Sequence, residues 1–231
     1  MKRNIFIFLL LIISVNLPAQ INMVSKKIFL DSLNRECTPD NYAYTRVITN
    51  YSQKSVRYVV TDFYKNGRKK MTGSTLDRDV LKKDGEFIYY YKNGAKETVV
   101  NYSEDHKNGK EINWYENQSK KCEKQNLWDS KTKKTQTLVL NSWDENKTQT
   151  VIDGNGEFEE TDGFVTQKGE IKNGLKQGAW QGNDLSKNIS FTDNYDKGIL
   201  VSGFSIDANN IKTSYSSLNE KQTGKKIIKS K

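Results

Sequence analysis

The sequence predicts an all-β fold in which antiparallel hairpins stack into one elongated, twisted sheet. A turn motif of two aromatic residues, a charged residue and Asn-Gly stands at residues 63–67 and 90–94, and a weaker copy stands at 114–118. The copies start 27 and then 24 residues apart, a period typical of repeat arrays. Only 35% of the residues are hydrophobic and 28% are charged, which favours a solvated β-structure with a thin core. A repeat array of this kind lowers the expectation of catalysis.

Residues 1–19 have the layout of a secretory signal peptide. Lys2 and Arg3 precede an apolar run from Ile5 to Val15, and Pro18-Ala19 ends that run. The run is shorter than the about 20 residues that a membrane-spanning helix needs. We therefore expect an exported, soluble mature chain with no spanning segment after signal cleavage. Retention of the segment as an uncleaved anchor is the alternative.

Residues 20–62 form a pre-repeat segment. Between Ile21 and Arg35 apolar and charged residues interleave as in a short amphipathic helix, although Phe29-Leu30 also suits a strand. After Thr38-Pro39, aromatic and β-branched residues predict paired strands that lead into the first turn motif.

Residues 63–205 form the predicted hairpin repeat array. Asn and Gly tolerate the positive φ that two-residue hairpin turns require, so each Asn-Gly pair predicts a turn. The predicted repeat turns are Asn66-Gly67, Asn93-Gly94, Asn108-Gly109 and Asn173-Gly174. The motif degrades after Cys122, and the Lys- and Thr-rich residues 128–137 are expected in a loop at one edge of the array.

The aromatic residues can fill the core between hairpins or line a surface that stacks on sugars or partner side chains. We expect core positions for the aromatics that recur with the period: Tyr89, Tyr91, Trp114, Trp143 and Trp180. Tyr90 and Tyr115 are assigned the opposite parity along their strands and are the candidate interaction surface.

The turn motifs resemble the bacterial variant of the MORN repeat, whose units read approximately as Gly-x-aromatic-x-x-Tyr-Tyr-x-Asn-Gly. Residues 85–94, 109–118 and 173–180 match that pattern most directly. The order of features across the chain is also similar to the exported N-terminal region of some TonB-family proteins. A TonB C-terminal domain often follows in those proteins, whereas a lysine-rich tail stands here, so energy transduction is not expected. The resemblance implies an interaction or scaffold module and supplies no catalytic motif.

Residues 206–231 are the polar, lysine-rich tail. The formal net charge of the chain is +9, and much of it comes from this tail. The lysines concerned are Lys221, Lys225, Lys226, Lys229 and Lys231. We expect either a disordered end or adhesion to anionic membrane or glycan surfaces. Nucleic acid is not an expected partner, because no recognised binding motif accompanies the charge.

No catalytic, cofactor or metal site is predicted. His106 is the only histidine and stands in a polar stretch that reads as a loop, so a hydrolytic triad lacks its base. One histidine and two distant cysteines do not have zinc-ligand spacing. Residues 153–162 are rich in oxygen ligands, but Phe158 occupies the position at which an EF-hand loop requires glycine. Glu157 and Glu159 resemble a glycosidase pair, although nothing indicates a cleft.

Cys37 and Cys122 are the only cysteines. In an oxidising compartment they can form a disulfide, and two unpaired structural thiols are the alternative.

The sequence thus favours a non-enzymatic, exported protein-interaction scaffold of the cell envelope. Its expected location is the periplasm or the outer-membrane or cell surface of a Gram-negative bacterium, with an envelope protein as partner. A glycan or envelope-surface adhesion module, using exposed aromatics and the basic tail, is the alternative.

Overall fold

Sixteen strands follow one another in a single open sheet, each antiparallel to the next, and the first and last strands do not pair. The computed structural model describes residues 24–52, 54–216 and 218–223. The all-β class and the stacked hairpins predicted from the sequence are confirmed. The predicted signal peptide and the tail lysines from Lys225 onward lie outside the described residues.

The strands are short and follow chain order. The first eight are β1 (Lys26–Leu30), β2 (Tyr44–Ile48), β3 (Tyr58–Tyr64), β4 (Lys69–Thr75), β5 (Gly85–Tyr90), β6 (Lys96–Ser103), β7 (His106–Trp114) and β8 (Lys120–Asp129). The others are β9 (Lys134–Trp143), β10 (Gln149–Ile152), β11 (Asn155–Asp162), β12 (Val165–Lys172), β13 (Leu175–Asp184), β14 (Ile189–Asp196), β15 (Ile199–Ile206) and β16 (Lys212–Tyr215). One short helix, α1 (Leu218–Thr223), follows.

The N-terminal segment is a strand and not an amphipathic helix. Strand β1 pairs with β2 from Lys26 opposite Ile48 to Leu30 opposite Tyr44. This register turns Ile28 and the buried Leu30 to one face, and Ile28 packs against the core. The strand reading of Phe29-Leu30 is therefore the right one, because tertiary pairing supplies the burial that a helix of this length lacks.

The first two turn motifs form the same hairpin turn. Gly67 N–H donates to Tyr64 O and Gly94 N–H donates to Tyr91 O, each at 2.9 Å. Only the glycines have positive φ, 81° and 93°. These are three-residue loops, a type I turn followed by a G1 bulge, and not the two-residue loops expected from Asn-Gly.

The third copy and a degenerate fourth fold in the same way without glycine. Gln118 N–H donates to Tyr115 O, and Lys147 N–H donates to Asp144 O. Gln118 and Lys147 have φ of 69° and 68°, so they occupy the left-handed region where the other copies have glycine. The turn geometry is thus maintained in copies whose sequence departs from the motif.

One predicted turn is confirmed as a two-residue turn and another is wrong. Asn173-Gly174, with φ of 51° and 80°, connects β12 directly to β13. Asn108-Gly109 lies inside β7, and the β6–β7 turn falls at Glu104-Asp105. The observed register places Ile112 opposite Val99, whereas a two-residue turn at 108–109 would place Ile112 opposite a loop aspartate.

The core lies on one face of the sheet in two clusters. The first consists of Ile48, Tyr58, Val60, Met71, Phe87 and Val100, and the second of Cys122, Val139, Val151, Phe158, Ile171 and Trp180. Phe87 and Trp180 are completely buried within this one layer, because each ring lies flat on a glycine of a neighbouring strand and is covered by side chains of the same face. Tyr102 and Lys83 pack on Phe87, and Tyr195 and Lys176 pack on Trp180. A Cβ added to Gly73 would stand 2.6 Å from the Phe87 ring, and one added to Gly169 would stand 2.5 Å from the Trp180 ring.

Candidate interaction surfaces

The two residues that open each turn motif lie on opposite faces of the sheet. Side chains alternate along a strand, and the residues immediately before the motifs, such as the buried Asp62 and Ser142, face the core. The first motif residue therefore faces away from the core. The four equivalent first residues are Phe63, Tyr90, Trp114 and Trp143, which pair across the hairpin with Lys69, Lys96, Lys120 and Gln149.

The second motif residue links one hairpin to the next. Tyr64 Oη donates to Tyr90 O at 2.7 Å and Tyr91 Oη donates to Trp114 O at 2.7 Å. Tyr115 Oη donates to Trp143 O at 2.9 Å. Burial raises the pKa of all three phenols. These tyrosines are structural ties between repeats.

The prediction that Tyr90 and Tyr115 share one interaction surface is therefore wrong, because the two side chains lie on opposite faces of the sheet. Aligning the motifs makes Tyr115 the equivalent of Tyr91, while Tyr90 is the equivalent of Trp114. Two consecutive lysines contact rings on opposite faces. Lys121 Nζ lies 5.3 Å from the Tyr115 ring centroid, and Lys120 Nζ lies 5.2 Å from the Trp143 ring centroid. The parity prediction fails because Tyr115 is the second aromatic of its motif, so its equivalent is Tyr91 and not Tyr90; the bulge beside it adds Lys121 to β8 and leaves the alternation along β7 unchanged.

The first motif residues and their cross-strand lysines form a row across strands β3–β9, which we call the aromatic–lysine row. It consists of Phe63, Lys69, Tyr90, Lys96, Trp114, Lys120 and Trp143. Its aromatic side chains are half-buried and its lysines are exposed. Successive aromatics stand two strands apart, about 10 Å. Ile88, Val99 and Ile112 form the adjacent row on the same face, each opposite the next.

A second apolar region on this face follows the two-residue turns at 153–154, 173–174 and 197–198; we call it the aliphatic stripe. It consists of the exposed Leu140, Ile152, Ile199 and Val201 with the half-buried Leu138 and Leu175. The buried Val139, Val151 and Leu200 alternate with these side chains, which places the stripe on the face away from the core. Ile152 and Ile199 are 57% and 69% exposed.

Backbone hydrogen bonds lock the turns of the aliphatic stripe together. Gly154 N–H donates to Leu140 O at 2.7 Å, and Gly174 N–H donates to Gly154 O at 2.8 Å. Gly198 N–H donates to Lys176 O at 2.8 Å. The stripe is thus carried by a rigid, interlocked edge of the sheet. Sequence reasoning missed it, although bulky aliphatics beside three X-Gly turns were the available signal.

An open groove of about 580 Å³ brings together residues considered separately in the sequence. It is lined by Tyr115, Trp143, Glu157 and Glu159, among others. Glu157 Oε2 accepts a hydrogen bond from Lys168 Nζ at 2.9 Å, so one of the two carboxylates is ion-paired. The groove is acidic at its Trp143 end, where Asp144 and Glu145 also line it.

The remaining chemical candidates occupy structural positions. His106 begins β7 and stacks on Trp128, with ring centroids 3.4 Å apart, so it is not a loop residue. Asp153-Gly154 forms a two-residue turn with φ of 45° and 79°, which is a hairpin connection and not a calcium loop. Within the described ranges, no group of three or more acidic, histidine or cysteine side chains is arranged to hold a metal ion.

Both cysteines are free thiols. Cys37 N–H donates to Phe29 O beside β1, whereas Cys122 lies in β8, so about 30 Å of sheet separates them at the usual strand spacing. A disulfide requires Cα atoms within about 7 Å. Cys122 donates through Sγ–H to Asn113 Oδ1, and burial raises its pKa to about 11. The alternative of two unpaired thiols is the one the structure shows.

One tail lysine is bound to the body of the sheet. Asp193 is completely buried and accepts hydrogen bonds from Tyr215 Oη at 2.6 Å, Tyr195 Oη at 3.2 Å and Lys221 Nζ at 2.5 Å. Lys221 Nζ also lies 3.7 Å from the Phe191 ring centroid. Helix α1 thus fastens the end of the sheet through Lys221.

In the part of the chain that the structure describes, no helix has the length and apolar character to cross a membrane. No protein-family model and no curated protein matches the chain, so its assignment to the MORN-like repeats and its likeness to TonB-family proteins stay predictions from the sequence.

Proposed function

We propose that this chain is a non-enzymatic repeat protein that serves as a protein-interaction scaffold. The observation that carries the proposal is the aliphatic stripe. Isolated exposed apolar residues are ordinary on protein surfaces, but contiguous ones mark interaction sites. Here they stand side by side on turns that hydrogen-bond to one another, and Leu175 Cδ2 would be 3.3 Å from a Cβ on Gly198.

The open sheet supports a scaffold function because it leaves one face free. The buried side chains lie on the opposite face, and the rings that fill the core rest on glycines of the same layer. A surface built on paired strands holds its side chains in place better than one built on loops. A partner with a complementary apolar surface can therefore dock with little ordering cost.

The proposed setting is the cell envelope. The signal-like residues 1–19 support export to the periplasm or the cell surface, and the MORN-like, TonB-related pattern supports an interaction module. The proposed partner is an envelope protein.

Capture from envelope extract tests this function. The probes are residues 20–231 with the wild-type sequence, an Ile152→Lys/Ile199→Lys variant, and a Val56→Lys/Leu185→Lys control. The control residues are 84% and 76% exposed and lie outside the stripe. We expect a discrete protein that the wild type and the control retain and that the stripe variant loses. Equal retention by all three chains contradicts the proposal.

A further inference from the structure

We propose that the aromatic–lysine row binds a linear acidic polysaccharide, a chain of sugar rings carrying carboxylate or phosphate groups. This site is distinct from the aliphatic stripe and goes beyond the proposed scaffold function. Both regions lie on the face away from the core, so one molecule can hold a protein and a polysaccharide together.

The aromatic members of the row supply fixed stacking platforms. Tyr90 and Trp114 are half-buried, and both are anchored in paired strands. Tyrosine and tryptophan offer large, rigid contact area at a low entropic cost. The C–H face of a sugar ring is apolar and can cover such a ring while its hydroxyls remain in water.

The spacing of the row suits a polymer better than a compact ligand. Aromatic side chains recur on every second strand, about 10 Å apart, and a lysine stands on each intervening strand. A chain laid across the strands meets an apolar platform and a cation in alternation. Each added repeat engages the next pair, so contacts accumulate along the polymer.

The charges favour an anionic chain and fix its place. Lys69 and Lys96 are exposed, and neither has an ion-pair partner among residues 24–52, 54–216 and 218–223. Lys120 is partly neutralised, since its Nζ lies 2.6 Å from Glu123 Oε1. The anionic chain is thus placed over β3–β8, where the three lysines alternate with the aromatic side chains.

A lipid surface fits the aromatic–lysine row less well. The apolar residues beside the row are Ile88, Val99 and Ile112, and all three are half-buried on paired neighbouring strands. Membrane-surface binding relies on apolar side chains that reach several ångströms into the headgroup layer.

Calorimetric titration with oligogalacturonate, beside a neutral cello-oligosaccharide, tests the proposal. The row variants are Lys69→Gln/Lys96→Gln and Tyr90→Ala/Trp114→Ala. The matched control is Lys131→Gln/Lys134→Gln, which removes the same charge at exposed positions around the β8–β9 turn. Thermal unfolding verifies that each variant is folded, and the lysine pair alone decides the outcome if the aromatic pair unfolds.

We expect each row variant to weaken oligogalacturonate binding about tenfold or more, equivalent to about 1.4 kcal/mol, and the control to stay near wild type. Added salt should weaken wild-type binding, because the lysine contacts are screened. The Ile152→Lys/Ile199→Lys variant should bind the oligosaccharide like wild type, which separates this site from the scaffold function.

Three results overturn the proposal. The first is an absence of oligogalacturonate binding by the wild type. The second is an equal loss in the row variant and the lysine control, which indicates general charge attraction. The third is binding to phosphatidylglycerol vesicles, and not to oligogalacturonate, that depends on the same row residues.

Discussion

At the scale of single residues, the positive-φ position of the turn shows which copies of the motif lack glycine. Gly67 and Gly94 have the φ that the turn requires at no steric cost, whereas Lys147 adopts the same conformation with a side chain. A non-glycine residue in this region carries about 1–2 kcal/mol of strain. The copies without glycine still form the turn, because the paired strands on either side hold the turn residue in this conformation.

Replacement of Lys147 by glycine should therefore stabilise the protein. Relief of the strain exceeds the entropy that glycine adds to the unfolded chain, and we expect a gain of about 0.5–1 kcal/mol. Urea unfolding midpoints measure it. Gly67→Ala is the reciprocal control, since a Cβ there meets no atom within 4 Å and only the backbone penalty acts. A lower midpoint for Lys147→Gly contradicts this account of the turn.

The two thiols should differ in reactivity. Cys122 is 2% exposed with a pKa raised to about 11, so its reactive thiolate is scarce near neutral pH. Cys37 is only partly buried. Titration with a thiol reagent at neutral pH should label Cys37 first and Cys122 only after denaturation. Recovery of a linked Cys37–Cys122 peptide under non-reducing conditions would contradict the register of the sheet.

Alkaline pH should destabilise the fold through groups buried in their neutral forms. Burial raises the pKa of Cys122 from 9.0 to about 11 and that of Tyr102 from 10.0 to about 12. A raised folded-state pKa gives stability that is complete below the unfolded value and is lost as pH rises through the folded value. Thermal midpoints should thus fall between pH 9 and 12. Tyr102→Phe should reduce the decrease of the thermal midpoint above pH 10. An unchanged decrease in this variant would show that ionisation of Tyr102 is not its cause.

At the scale of elements, a phenol ties each of the first three turn motifs to the next one. The acceptors of Tyr64, Tyr91 and Tyr115 are all backbone carbonyls of the following motif. These tyrosine hydroxyls therefore add hydrogen bonds to those between the strands, at the edge of the sheet where the turns lie. This tie explains why the second aromatic of the motif is a tyrosine in all three copies.

Tyr91→Phe should cost about 1 kcal/mol, because it leaves the Trp114 carbonyl without its donor. Tyr90→Phe is the matched control on the other face, since the Tyr90 hydroxyl has no hydrogen-bond partner within the described ranges. Chemical unfolding of both variants measures the difference. Equal stabilities would show that the tie contributes nothing.

Local signals predicted the elements well wherever turn chemistry decides the register. Asn173-Gly174 forms the expected turn, and the first two motifs turn where expected, although with a different loop type. Asn108-Gly109 misled the prediction because the register of β6 and β7 follows the pairing of Val99 with Ile112. The prediction for Tyr115 fails for a different reason: Tyr115 is the second aromatic of its motif, equivalent to Tyr91, and the alignment of the motifs in the sequence already shows this.

At the scale of the whole molecule, burial on one face of a single layer leaves the other face uncovered. The low apolar content predicted a thin core, and rings resting on glycines are the means by which one layer forms it. Contacts between distant residues were beyond sequence reasoning. The bonds of Asp193 to Lys221 and Tyr215 join residues far apart in the chain, and no spacing rule identifies them.

Hydroxyl-radical footprinting of the chain, with and without its captured partner, tests whether the aliphatic stripe is the docking surface of the proposed scaffold. We expect protection to concentrate on Leu140, Ile152, Ile199 and Val201, while core-face side chains and the control residues Val56 and Leu185 keep their reactivity. Protection confined to the core face, or none on the aliphatic stripe in a saturated complex, would contradict this expectation.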